Sequence, residues 1–364
     1  MATQLPTHKL GKNGPQVTAL GFGLMGLSAF YGAPKSDEER FKVLDHAYNS
    51  GELFWDTADI YGDNEDLIGK WFKKNPGKRE KIFLATKFAS YVDPVTKERT
   101  VRNDPDYIRK AVDTSLSRLG IDQIDLYYVH RIQEDQPIEI TVGVLKELQE
   151  AGKIRHIGLS EMSAETLRRA EEVVHIDAAQ VEYSPFSLEI EDPQIDVLRV
   201  ARETGTAIVA YSPLGRGFLT GSLKSPDDFE DGDFRRYAPR FSAENFPKNL
   251  KLVDEFKALA DSKGVTSGQL ILAWLMAQGD GKFSICRCNE IDNTNTNTDI
   301  FPIPGTTKIK NFDENIGSLK VKISKEDDEQ IRKAISKVEV GGGRYPEAVS
   351  KSLYVSTVPL KSKV

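Results

Sequence analysis

The chain is predicted to be an α/β protein, a (β/α)₈ TIM barrel with an N-terminal hairpin and a C-terminal extension. Three observations lead there. Eight short apolar runs alternate with amphipathic stretches of helical period. Apolar runs of this kind read as strands buried on both faces, and their alternation with helices implies parallel strands covered by helices. A doubly wound open sheet would usually begin with a G-x-G-x-x-G turn after its first strand, and GFGLMG (21–26) has the wrong glycine spacing. At 364 residues the chain exceeds a typical domain, but α/β barrels routinely reach such lengths as one unit. Residues 1–364 are therefore read as a single barrel domain.

The expected strands are VTALGFG (17–23), LFWDTAD (53–59), IFLATKF (82–88), IDLYYVH (124–130), IRHIGLS (154–160), AAQVEYS (178–184), AIVAYSP (207–213) and DIFPIPG (299–305). Helical patterns separate them. In TVGVLKELQEAGK, Val144, Leu145 and Leu148 share one face, and Gly152 suits the stop. Before the first strand, HKLGKNGPQVT reads either as a hairpin around KNG that plugs the lower end of the barrel or as an ordered tail. Residues 215–248 read as a long loop, of a kind that in a compact domain is usually functional or disordered. The run 281–298 has no period, ends in an Asn/Thr tract, and reads as an insertion before the eighth strand. It holds both cysteines, Cys286 and Cys288. Two thiols in one CRC segment make neither a disulfide framework nor a zinc site, so no metal is expected.

Composition narrows the function classes. The formal net charge is −6, and no basic stripe offers the footprint of a nucleic-acid binder. No apolar run reaches the roughly 18 residues that span a membrane, and the first residues lack the apolar core of a signal peptide. A cytoplasmic protein is expected, monomeric or weakly homo-oligomeric, acting on a small molecule.

In a barrel, residues at the C-terminal strand ends converge on one mouth. Asp56 and Tyr61 follow the second expected strand, Lys87 ends the third and His130 the fourth. Taken singly, each has a plainer role: Asp56 a turn cap, Tyr61 a core aromatic, Lys87 a snorkelling cation, His130 a core histidine. Together they form a proton-handling set. A phenol titrates near pH 10, and bringing it to neutrality takes roughly 4 kcal/mol of preferential phenolate stabilisation. The Lys87 ammonium would supply part of this if Asp56 held it charged. Tyr61 is thus the candidate acid, with His130 orienting a substrate oxygen.

These motifs, with TKF, YYVHR, GLS, QVEYSPF, YSPLGRG and IPGTTK in order, resemble the aldo-keto reductase superfamily along nearly the whole chain. Within it, GLSE, QVEYSPFSLE and IPGTTK look most like the fungal aldehyde reductases and pyridoxal reductases. The resemblance implies a (β/α)₈ barrel that transfers hydride from NADPH to the carbonyl of an aldehyde or ketone, with Asp56, Tyr61, Lys87 and His130 as tetrad. It implies that Gly23, Leu24 and Met25 border the nicotinamide, that Ser160 and Gln180 hold its amide, and that Tyr211 stacks on it. Glu161 stands where the family more often has Asn. Ser212, Leu214, Gly215 and Arg216 correspond to the loop over the pyrophosphate. Thr306, Thr307 and Lys308 suit the extra phosphate of NADPH, and Glu314 and Asn315 the adenine. The alternative is a NADPH-binding regulatory subunit of the same fold with little turnover.

Overall fold

The computed structural model describes residues 5–93, 95–279 and 299–361. Among these, eight parallel strands lie side by side in chain order: Phe22–Gly23, Phe54–Asp56, Phe83–Phe88, Ile124–Val129, Ile154–Ser160, Ala178–Glu182, Ala207–Tyr211 and Ile300–Pro302. The sheet closes where the first strand meets the eighth. The Gly21 amide donates to the Pro302 carbonyl at 2.9 Å, and Gly23 bridges to Gly305. Only glycines allow this seam: a Cβ on Gly23 would lie 2.8 Å from the Ile303 carbonyl oxygen, and one on Gly305 2.7 Å from that of Gly23. The expected (β/α)₈ barrel is the fold observed.

Every expected strand but the fifth is shorter than read, the first, second and eighth most of all. Gln16–Thr18 pairs antiparallel with Thr7–Lys9 as the N-terminal hairpin, so only Phe22–Gly23 of the first stretch joins the barrel. The second ends at Asp56, because the chain then turns, with the Tyr61 amide donating to the Ala58 carbonyl at 3.2 Å. Leu10 and Val17 from the hairpin pack into the barrel interior with Phe54, Leu126, Ala178 and Phe301. The Lys12 amide bonds the Gly205 carbonyl, just ahead of the seventh strand. The hairpin therefore plugs the N-terminal end of the barrel, leaving the other end as the mouth.

The helices are α1 (Asp37–Asn49), α2 (Asn64–Lys74), α3 (Pro105–Leu119), α4 (Ile138–Glu150), α5 (Ala164–Glu171), α6 (Val197–Thr204), α7 (Phe246–Lys263), α8 (Ser267–Ala277), α9 (Ile309–Gly317), α10 (Lys325–Ser336) and α11 (Glu347–Ser350). Local chemistry sets their ends. Asp104 caps α3 ahead of Pro105, and Gly120 ends it in the left-handed conformation. Thr266 and Gln269 form a capping box on α8. The loop after the seventh strand is ordered around Phe218, Phe229, Phe241 and Phe246. The run 281–298 and its cysteines lie outside the described residues.

Strand alternation puts one set of side chains against the helices and the other inside the barrel. Trp55, Leu84, Tyr127 and Val129 belong to the outer core, whereas Phe54, Ala85, Leu126 and Tyr128 face inward. Continuing each inward set towards the mouth reaches Asp56, Lys87 and His130. Gly158 makes room for Tyr128: a Cβ there would sit 2.3 Å from the tyrosine ring.

Candidate active site

Lys87 is fully buried inside the barrel, where a lone ammonium would be expensive. Its amino group donates to Asp56 Oδ1 at 2.5 Å and to the Thr57 carbonyl at 2.7 Å. The other Asp56 oxygen accepts from Gln180 Nε2 at 2.8 Å. Burial still leaves Lys87 with a pKa below the usual lysine range, against the opposing pull of Asp56.

Tyr61 sits on the turn after the second strand. Lys87 Nζ lies 5.1 Å from its ring centre. His130 meets the same ring edge-on at 5.7 Å, and Phe30 does so at 6.2 Å. The turn is tied down on both flanks: Arg118 donates to the Asp59 and Gly62 carbonyls, and Arg40 grips Asp63 from α1 at 2.7 and 2.8 Å. The His130 amide donates to Phe88, while its Nδ1 is buried with no hydrogen-bond partner. Burial above all, then the cations of Arg131 and Lys87, pushes the His130 pKa well down, so the imidazole is neutral at neutral pH. The four tetrad candidates thus gather at one rim.

One electrostatic expectation is corrected. Tyr61 is not made acidic in this state: burial first, and then the Asp56 charge, raises its pKa well above the ordinary phenol value. The carboxylate that holds the lysine in place acts against the phenolate, and the cation that opposes it is Arg131.

The cofactor candidates fall into two groups. At the ends of the fifth and sixth strands, Ser160 Oγ and Glu161 Oε2 are buried without hydrogen-bond partners, and Ser160 pairs in register with Gln180. A hydroxyl, an amide and a carboxylate acceptor suit a carboxamide, which both donates and accepts. Tyr211 ends the seventh strand and donates its hydroxyl to Glu161 Oε1 at 2.6 Å. Leu24 is buried, with its amide on the Asp56 carbonyl, and Met25 opens the following turn.

The second group lies over the seventh and eighth strands. Leu214 and Glu314 both approach Gly268, so the loop after the seventh strand meets α9 across α8. Thr307 approaches Gly26, and the Thr306 hydroxyl accepts from the Lys308 amide at 3.1 Å. Lys308 is exposed at the start of α9, whereas Asn315 is buried. That helix start, with two hydroxyls and an exposed cation, suits a phosphate.

Two candidates of the SPLGRG loop are engaged within the protein in this arrangement. Arg216 does not open towards an anion; it is buried, with Nη2 on Glu182 at 2.9 Å and Nη1 on the Arg344 carbonyl at 3.0 Å. The buried Glu182 needs a cation and takes this one. The Gly215 amide is likewise engaged, by the Ser212 carbonyl at 2.9 Å.

Sequence reasoning missed what the segment after α10 contributes. Arg344 reaches Glu161, Glu182 and Glu189 at 3.5, 3.6 and 3.5 Å. The Tyr345 hydroxyl bonds that of Tyr211 at 3.2 Å, and its ring meets Phe234 at 5.7 Å. Arg131 was also passed over, though it follows His130 directly and donates to the His130 carbonyl at 2.8 Å. Its signal was the cation itself, beside a catalytic candidate at a strand end.

Comparison with known proteins agrees with this architecture. A family model described as the aldo/keto reductase family matches residues 19–336. Aldo-keto reductase yakc of Schizosaccharomyces pombe, whose name specifies NADP(+), is 52% identical over 98% of this chain and 99% of its own. Aldo-keto reductase str7 of Strobilurus tenacellus is 50% identical over 93% of this chain and 95% of its own. Among solved structures, the glycerol dehydrogenase AKR11B4 of Gluconobacter oxydans superposes with a TM-score of 0.77 at 24% identity, covering 93% of this chain and 97% of that one. The thermostable aldo-keto reductase Tm1743, solved with epalrestat, gives 0.68 at 25% identity, covering 91% and 100%. With the barrel, the seam, the strand-end residues and these matches taken together, the chain belongs to the aldo/keto reductase family.

Proposed function

We propose that the protein reduces an aldehyde or ketone to the alcohol with NADPH, and that Tyr61 is the proton donor. The observation that carries this is the buried Lys87–Asp56 pair beneath Tyr61, with a neutral His130 against the same ring. NADPH, when bound, supplies a hydride to the carbonyl carbon. The unpartnered Ser160 and Glu161 atoms, with Gln180, would hold the carboxamide end, and Thr306, Thr307 and Lys308 the phosphate end.

The chain's own groups handle the oxygen. As negative charge develops there, the protonated Tyr61 hydroxyl transfers its proton to it, and the resulting phenolate lies near Lys87. His130, neutral and buried, donates a hydrogen bond to the same oxygen and fixes its position. Phe30, Phe234 and Tyr345 make an aromatic wall beside Tyr61, which favours aldehydes with a flat apolar body.

The test is Tyr61→Phe, assayed by NADPH consumption with 4-nitrobenzaldehyde and by NADPH fluorescence. General acid catalysis typically contributes about 10²–10⁴-fold, so kcat falls by that order while cofactor affinity holds. Parental turnover in the variant would remove Tyr61 from the role.

A further inference from the structure

A recess of about 420 Å³ opens between α3, the hairpin of Ser90–Val92 with Arg99–Val101, and the back of the Tyr61 turn. Its walls are built rather than incidental. Tyr91 and Tyr107 meet edge-on at 5.7 Å, and the Arg102 guanidinium stacks over both rings at 5.4 and 5.0 Å while paired to Asp104. Arg118 closes one side, its charge engaged by Asp66 and Glu65.

Two lining groups have no such engagement. Asp59 Oδ1 is shielded from water and has no hydrogen-bond partner. Burial, and then the nearby Glu65 charge, pushes this carboxyl up to about 8, so at neutral pH it carries a proton to donate. Lys110 is exposed on the rim, with no ion pair among the described residues. Asp106 also lines the recess, exposed in the first turn of the same helix. From Lys110 the recess continues into an open groove along α3, past Thr114 and Ser117.

We propose that this recess is a second small-molecule site, which takes an aromatic carboxylate. The flat ring lies against Tyr91 and Tyr107, the carboxylate reaches Lys110, and a carboxylate oxygen or ring substituent accepts from Asp59. The volume falls within the range of small-ligand pockets, about 300–1,000 Å³, and fits a two-ring molecule.

The experiment is calorimetric titration of the full chain with 2-naphthoate. The parent should bind it. Lys110→Glu, which turns one attraction into a repulsion, should weaken binding roughly tenfold. Thr114→Phe, which fills the recess from an exposed helix position, should abolish it. Both variants change surface residues and should keep the parental melting temperature. Absence of binding to the parent, or parental affinity in either variant, would overturn the assignment. Because heat of binding is read without cofactor or turnover, this result stands or falls apart from the carbonyl-reduction reading.

Discussion

Lys87 and Asp56 show how much one buried ion pair constrains. Neither charge is stable inside the barrel alone, and Gln180 completes the pairing by binding the second Asp56 oxygen. Lys87→Met leaves the carboxylate with only an amide donor, and should cost about 3–5 kcal/mol in urea unfolding. The double variant Lys87→Met/Asp56→Leu should regain much of that stability but none of the activity. A second buried acid gives a pH dependence. Glu52 is fully enclosed at the foot of the second strand, and burial pushes its pKa up to about 8, although Thr18 and the Phe54 amide donate to it. The folded state therefore holds a proton that the unfolded chain releases above about 4.5, so Glu52 makes stability fall as pH rises from there to about 8. Glu52→Gln should raise the melting temperature at pH 8 and leave it unchanged near pH 4; equal shifts at both would show that packing, not charge, controls the effect.

At the scale of elements, the fifth strand and the segment after α10 each carry a testable demand. Gly158→Ala forces a methyl into the Tyr128 ring and should destabilise by about 1–3 kcal/mol, the usual cost of overpacking. Adding Tyr128→Leu should recover part of the loss. Arg344 bridges three carboxylates, Glu161 among them, so Arg344→Met should both weaken the fold and loosen Glu161, seen as reduced NADPH affinity by fluorescence. Element types were readable because apolar alternation and caps are local signals: the Asp104–Pro105 start and Gly120 stop of α3 are written in adjacent residues. The Arg344 contacts were not readable, since nothing in GGGRYPE says which distant strands it will meet. The Arg216 pairing was unreadable for the same reason. A cation in a glycine-rich loop suggests an anion, and only the fold reveals that Glu182 has claimed it.

Seen whole, the molecule was legible where chemistry follows from strand periodicity. Inward positions one step beyond Phe54, Ala85 and Tyr128 bring Asp56, Lys87 and His130 to one end, and the plug of Leu10 and Val17 marks the other. Hidden from sequence were the side-chain charges, because the protonation of Tyr61 depends on burial and on the balance of all its neighbours. The seam at Gly21, Gly23, Pro302 and Gly305 has one more consequence. It joins the two ends of the strand order, so the cylinder cannot shut until the eighth strand has left the ribosome. Until then the nascent chain exposes two open sheet edges, each able to capture another chain's strand. Substitutions that slow formation of the seam should therefore appear first as lost soluble yield during expression, before any purified protein shows a defect.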